Sequence, residues 1–74
     1  MIKVEIYYVD GSMSDFQEGD EFISMLRRLE RDGYKGKSLI DNLISDDWGV
    51  PPSGILLKGT MSNGVVIDEN IRYD

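Results

Sequence analysis

Cysteine, histidine and alanine are absent from this 74-residue sequence, and only 2 prolines occur. Without cysteine or imidazole the chain has no disulfide staple, no zinc site of the usual thiolate and imidazole kind, no redox thiol and no catalytic triad built on histidine. Carboxylate, hydroxyl and lysine chemistry remain. With no alanine, every residue in the 41% hydrophobic fraction is of valine size or larger. Each buried position then removes more apolar area from water than an average core residue does, and a stable domain without staples is expected. No apolar stretch approaches the ~20 residues of a membrane-spanning helix. No basic-plus-apolar leader precedes the first expected strand, so the cytoplasm is the expected location.

Positive charge is scarce. Lys and Arg number 8 against 14 Asp and Glu, a formal net charge of −6, and the pI is near 4.4. The cations are also concentrated. Arg27, Arg28, Arg31, Lys35 and Lys37 lie in one short segment whose only acids are Glu30 and Asp32, and the rest of the chain is strongly acidic. At this length the chain is expected to be a single domain spanning 1–74. So small a fold buries only about 60% of the surface its unfolded chain exposes, which leaves little room for a catalytic cleft beside a core.

Ile2, Val4, Ile6 and Tyr8 alternate with Lys3, Glu5 and Tyr7, the period-two pattern of a strand with one buried face. Asp10-Gly11 marks a hairpin turn, and a returning strand is expected over 12–17, with a bulge or a longer loop because a strict two-residue turn would put Phe16 on the opposite face from Met13. Asp20 is the expected cap of a helix with an apolar stripe of Phe22, Met25, Leu26 and Leu29, ending at Asp32-Gly33. A second helix is expected to open at Ser38, with Asp41 completing a short capping box, and to stop at Gly49, before Pro51-Pro52. Trp48 then falls on its core face, and Asp46 and Asp47 lie at its C-terminal end, where the dipole disfavours acids. A two-residue Asn63-Gly64 turn predicts a second hairpin of 55–61 and 65–73, with Lys58 facing Glu69 and Leu56 facing Ile71. The expected architecture is α+β in the order ββααββ: one four-stranded, mainly antiparallel sheet with both helices on one face.

Gly36-Lys37-Ser38 matches the end of a phosphate-binding loop, but Arg31 stands where the leading glycine belongs and a helix precedes it, so helix capping explains it better. Asp68, Glu69, Asn70 and Asp74 lack calcium-loop spacing. No cofactor, metal or catalytic group is therefore expected. Two binding readings remain. An acidic set, with Glu5, Asp15, Asp46, Asp47, Asp68 and Glu69 as candidate contacts and Tyr7 as an anchor on an uncovered sheet face, suits a larger protein with a basic surface. The alternative is a nucleic-acid patch of Arg27, Arg28, Arg31, Tyr34, Lys35 and Lys37, with cations for phosphates and a ring for stacking. The overall negative charge opposes the latter.

Gly49-Val50-Pro51-Pro52, between a helix and an apolar strand ending at Lys58-Gly59, resembles the ubiquitin-like β-grasp arrangement. The resemblance implies strands one and four adjacent and parallel. The inserted second helix, the early glycine and the lack of a Gly-Gly tail depart from it, so it implies at most a non-conjugated adaptor. Size, charge and missing catalytic residues give the leading expectation: a non-enzymatic inhibitor or regulator that occupies a basic, nucleic-acid-binding surface of its partner, as phage-encoded anti-defence and anti-CRISPR proteins do.

Overall fold

The computed structural model describes residues 1–44 and 49–74. The elements are β1 (Ile2–Tyr8), β2 (Met13–Glu18), α1 (Asp20–Arg31), α2 (Gly36–Leu43), β3 (Pro52–Thr60) and β4 (Val66–Arg72), and the strands form one sheet in the order β2-β1-β3-β4. Every neighbouring pair is antiparallel, so the expected α+β layout is the one observed. The parallel pairing implied by the ubiquitin-like resemblance is not made. β1 lies against β3 instead, and β4 takes the edge beyond it.

Alternation in β1 decides what is buried. Ile2, Val4, Ile6 and Tyr8 point to the helices and meet Ile55, Leu57 and Ile67 of the sheet, Phe22, Ile23 and Leu26 of α1, and Leu39, Ile40 and Leu43 of α2. Phe16 of β2 closes one side of this core with its ring edge-on to Phe22, centroids 6.4 Å apart, a geometry that aromatic quadrupoles favour.

The two hairpins share one loop design. Tyr8 pairs with Ser12 and Met61 with Val65 across three-residue loops. In each loop the glycine N–H returns to the carbonyl three residues earlier (Gly11 to Tyr8, 3.0 Å; Gly64 to Met61, 2.9 Å), and the glycine takes a positive φ of 88° or 90°. The preceding Asp10 or Asn63 side chain accepts the N–H two residues on, at 2.9 and 3.0 Å. This is a type I turn followed by a glycine bulge. The longer first loop is as expected, but it does not bring Met13 and Phe16 to one face: Met13 lies opposite Tyr7 on the outer face and Phe16 opposite Val4 on the core face. The second register is shifted by one residue from the two-residue expectation, so that Lys58 faces Asp68 and Ile55 faces Ile71. The cause is burial parity. Ile55, Leu57, Ile67 and Ile71 can all face the helices only in this register, because a one-residue slip would turn one strand over.

Helix boundaries also differ. Gly19, not Asp20, is the N-cap of α1, and Asp20 is its first helical residue. The expected end holds: the N–H groups of Gly33 and Tyr34 return to Glu30 and Leu29, a Schellman closure. α2 begins two residues before Ser38, whose hydroxyl donates to the Lys35 carbonyl at 2.9 Å. Asp41 therefore caps nothing. α2 ends at Leu43, with Ile44 in extended conformation. The expectations for Asp46, Asp47 and Trp48 lie outside the described residues.

Candidate protein-binding face

Among the described residues, helices cover one side of the sheet only, and antiparallel register carries facing positions across it in rows. On the helix-free side, from β2 to β4, these are Met13, Tyr7, Gly54 and Arg72; then Asp15, Glu5, Leu56 and Asn70; then Gln17, Lys3, Lys58 and Asp68. Tyr7 and Met13 are therefore direct neighbours, 40% and 47% exposed. A side chain at position 54 is impossible without movement of β4, because its Cβ would lie 2.9 Å from the Ile71 carbonyl oxygen. The missing side chain leaves a notch of about 290 Å³, floored by Gly54 and walled by Tyr7 and Arg72, with Ser53 and Asn70 at its ends.

Of the acidic set, Glu5, Tyr7, Asp15 and Asp68 share this face. Glu5 is the least available. Its side chain is only 16% exposed, with the Lys3 ammonium 3.7 Å from it and 3.9 Å from Asp15. Lys3 between Glu5 and Asp15 leaves the β1–β2 half of this face with one more acid than base, while Lys58, Asp68 and Arg72 give the β3–β4 half one more base than acid. Glu69 is on the other side, where Arg27 donates to both of its carboxylate oxygens and also to Glu30 at 3.0 Å. Hydrogen bonds from Arg27 hold the Glu69 carboxyl below its usual range. Asp46 and Asp47 are not among the described residues.

The basic segment is divided in two. Arg27, Arg28 and Arg31 face the β3–β4 hairpin, whereas Lys35 and Lys37 face Ile71, Arg72, Tyr73 and Asp74 in a broad depression of about 830 Å³. Two of its five cations are engaged within the fold: Arg27 with Glu69 and Glu30, and Lys37 with Asp41 at 2.9 Å while its ammonium lies 5.7 Å from the centre of the Tyr73 ring. Tyr73 in turn donates its hydroxyl to Asp41 at 3.1 Å. Tyr34 is exposed beyond the end of α1 and lines neither of these two surfaces.

No family model matches the chain, and no curated protein or solved structure is significantly similar to it. Its chemistry must be argued from its own side chains. The carboxyls of Asp10, Asp20, Asp41 and Glu69 are all pushed down, the first two by serine donors and the others by Lys37 and Arg27. No group of three or more acidic side chains suited to a metal ion occurs among the described residues, and none of their helices is long and apolar enough to cross a membrane. Met13 and the Gly54 notch were missed by sequence reasoning, since only the cross-strand register brings them beside Tyr7.

Proposed function

We propose that this chain is a non-enzymatic protein-binding module, an inhibitor or regulator that lays its helix-free sheet face on a larger protein with a basic surface. One observation carries the reading: Tyr7 and Met13 stand exposed side by side on that face, next to a notch. Tyrosine is among the residues that anchor interfaces, since it offers large rigid area at low entropic cost, and methionine adapts to its partner's shape. On the β1–β2 half of the face, Asp15 and Glu5 with only Lys3 between them favour a cationic side chain on that flank of the anchor. The net charge of −6 would speed encounter with a basic surface. The nucleic-acid reading is weaker, because Arg27 and Lys37 are neutralised within the fold.

The test is affinity capture from the native host with wild type, a Tyr7→Ala/Met13→Ser variant and an Arg28→Glu/Arg31→Glu variant, followed by kinetics on the purified pair. The expected result is a partner lost by the first variant and kept by the second, with an association rate that falls as salt is raised. A partner retained by the Tyr7/Met13 variant would overturn the assignment of this face.

A further inference from the structure

On the opposite side of the molecule, α1 and the β3–β4 hairpin enclose a groove of about 440 Å³. Its floor is aliphatic: Ile23 of α1, with Met61, Val65 and Ile67 from the hairpin. Its helical rim carries Arg27, Arg28 and Arg31, which recur at the i, i+1 and i+4 spacing of one helix flank. Two polar clamps fix its width. At one end the Asp20 carboxylate accepts the Ser62 N–H at 3.1 Å and the Ser62 hydroxyl; at the other, Arg27 grips Glu69. The groove is thus held open between two fixed posts.

Arg28 and Arg31 are the unspent groups. Neither forms an ion pair with any described residue, in a chain where acids outnumber bases by 14 to 8. Their place in the last turn of α1 answers the helix dipole. The dipole does not account for the apolar strip beside them, where Val65 is 49% exposed. Apolar floor and cationic rim together define a complement.

We infer that this groove binds an acidic, hydrophobically anchored peptide segment of a partner protein. One or two aliphatic or aromatic side chains of the segment lie on Val65 and Met61, and its neighbouring carboxylates take the guanidinium forks of Arg28 and Arg31, whose geometry suits carboxylates. The volume accommodates an anchor of that size. The net charge of −6 slows encounter with an acidic segment, but once in contact the acids more than about 8 Å away are screened at physiological ionic strength, so the local positive rim acts there. A nucleic-acid strand fits less well, since the groove lining contains no aromatic ring on which a base could stack. This surface is separate from the helix-free face, so the segment it takes belongs to a second partner.

The probe is a fluorescein-labelled dodecapeptide with a single phenylalanine followed by two glutamates in a Gly-Ser background, titrated by fluorescence anisotropy. A control peptide has both glutamates replaced by glutamine. Wild-type protein should saturate at micromolar to sub-millimolar concentration and bind the control at least about tenfold more weakly. Arg28→Ala/Arg31→Ala should lose a similar factor and Val65→Ser several-fold, with Tyr7→Ala unchanged. Amide shifts in 15N-labelled protein should fall on α1 and the β3–β4 loop, and the dispersion of the same spectra shows that each variant is folded. No saturable binding below 1 mM, equal binding of the glutamine control, or shifts confined to the helix-free face would each overturn the inference. So would salt-sensitive binding of a single-stranded oligonucleotide that the arginine variant loses and Val65→Ser keeps.

Discussion

Gly59 pairs with Ile2 where β3 passes beneath the start of β1, with φ at 153°. A Cβ there would lie 2.3 Å from the Met1 carbonyl oxygen and 3.0 Å from the Ile2 Cα. These are backbone atoms of the strand alongside, so relief requires the start of β1 to move. Gly59→Ala should cost about 1–3 kcal/mol and lower Tm by about 4 °C or more in a domain of this size, as read by thermal denaturation. At Gly64 φ is also positive, but a Cβ meets open space, and Gly64→Asn is the milder control in the same experiment, since asparagine tolerates that conformation. Asp20 makes a different kind of prediction. It accepts the Ser62 hydrogen bonds as a carboxylate, which puts its folded-state pKa below that of the unfolded chain. Its contribution is complete above the unfolded value of about 4 and is lost as pH falls through the lower folded value. Asp20→Asn should therefore reduce stability to urea at pH 7 and narrow the gap between pH 7 and pH 3. An equal acid-induced loss in both proteins would show that the Ser62 clamp contributes nothing.

At the scale of elements, the paired three-residue loops predict inter-strand NOEs joining Lys58 to Asp68 and Leu57 to Glu69. NOEs joining Lys58 to Glu69 instead would restore the two-residue turn. The comparison also shows what local sequence can express. Alternation in β1 identified Ile2, Val4, Ile6 and Tyr8 as core and Tyr7 as outward, because period alone fixes a face; the stripe of α1 identified Phe22 and Leu26 but missed the buried Ile23, and Met25 and Leu29 are only partly buried. Asn63-Gly64 located a turn but not its length: the dipeptide serves a two-residue turn and the last two places of a three-residue loop equally well, and only the parity of four distant apolar residues chooses. The end of α2 at Leu43 was obscured by Ile44, which continues the apolar spacing while its backbone has already become extended. Strand order was beyond any local pattern. Nothing in β1 alone states that its second neighbour is β3. The groove beside α1 was hidden for the same reason, since Ile23 and Val65 are far apart in sequence, and the clamp between Asp20 and Ser62 looked like a helix cap.

At the scale of the molecule, the sheet separates two surfaces of different character. The helix-free face carries Tyr7 and Met13 beside Asp15; the other presents the Arg28 and Arg31 rim over aliphatic side chains. The negative balance of the whole therefore describes neither surface, and reversal of charge on one should leave the other's binding intact. The strand order has a further consequence, for kinetics. β2 and β4 each reach their neighbours through a three-residue loop, and contacts so close in sequence form within microseconds. β1 and β3 come from opposite ends of the chain, with Ile2 meeting Gly59 and both helices between them. Closing that span costs entropy before any pairing repays it. The seam between β1 and β3 is thus expected to be the slow step of folding. Substitutions along it, at Val4 or Leu57, act on the rate at which the chain reaches its native state as well as on the stability of that state.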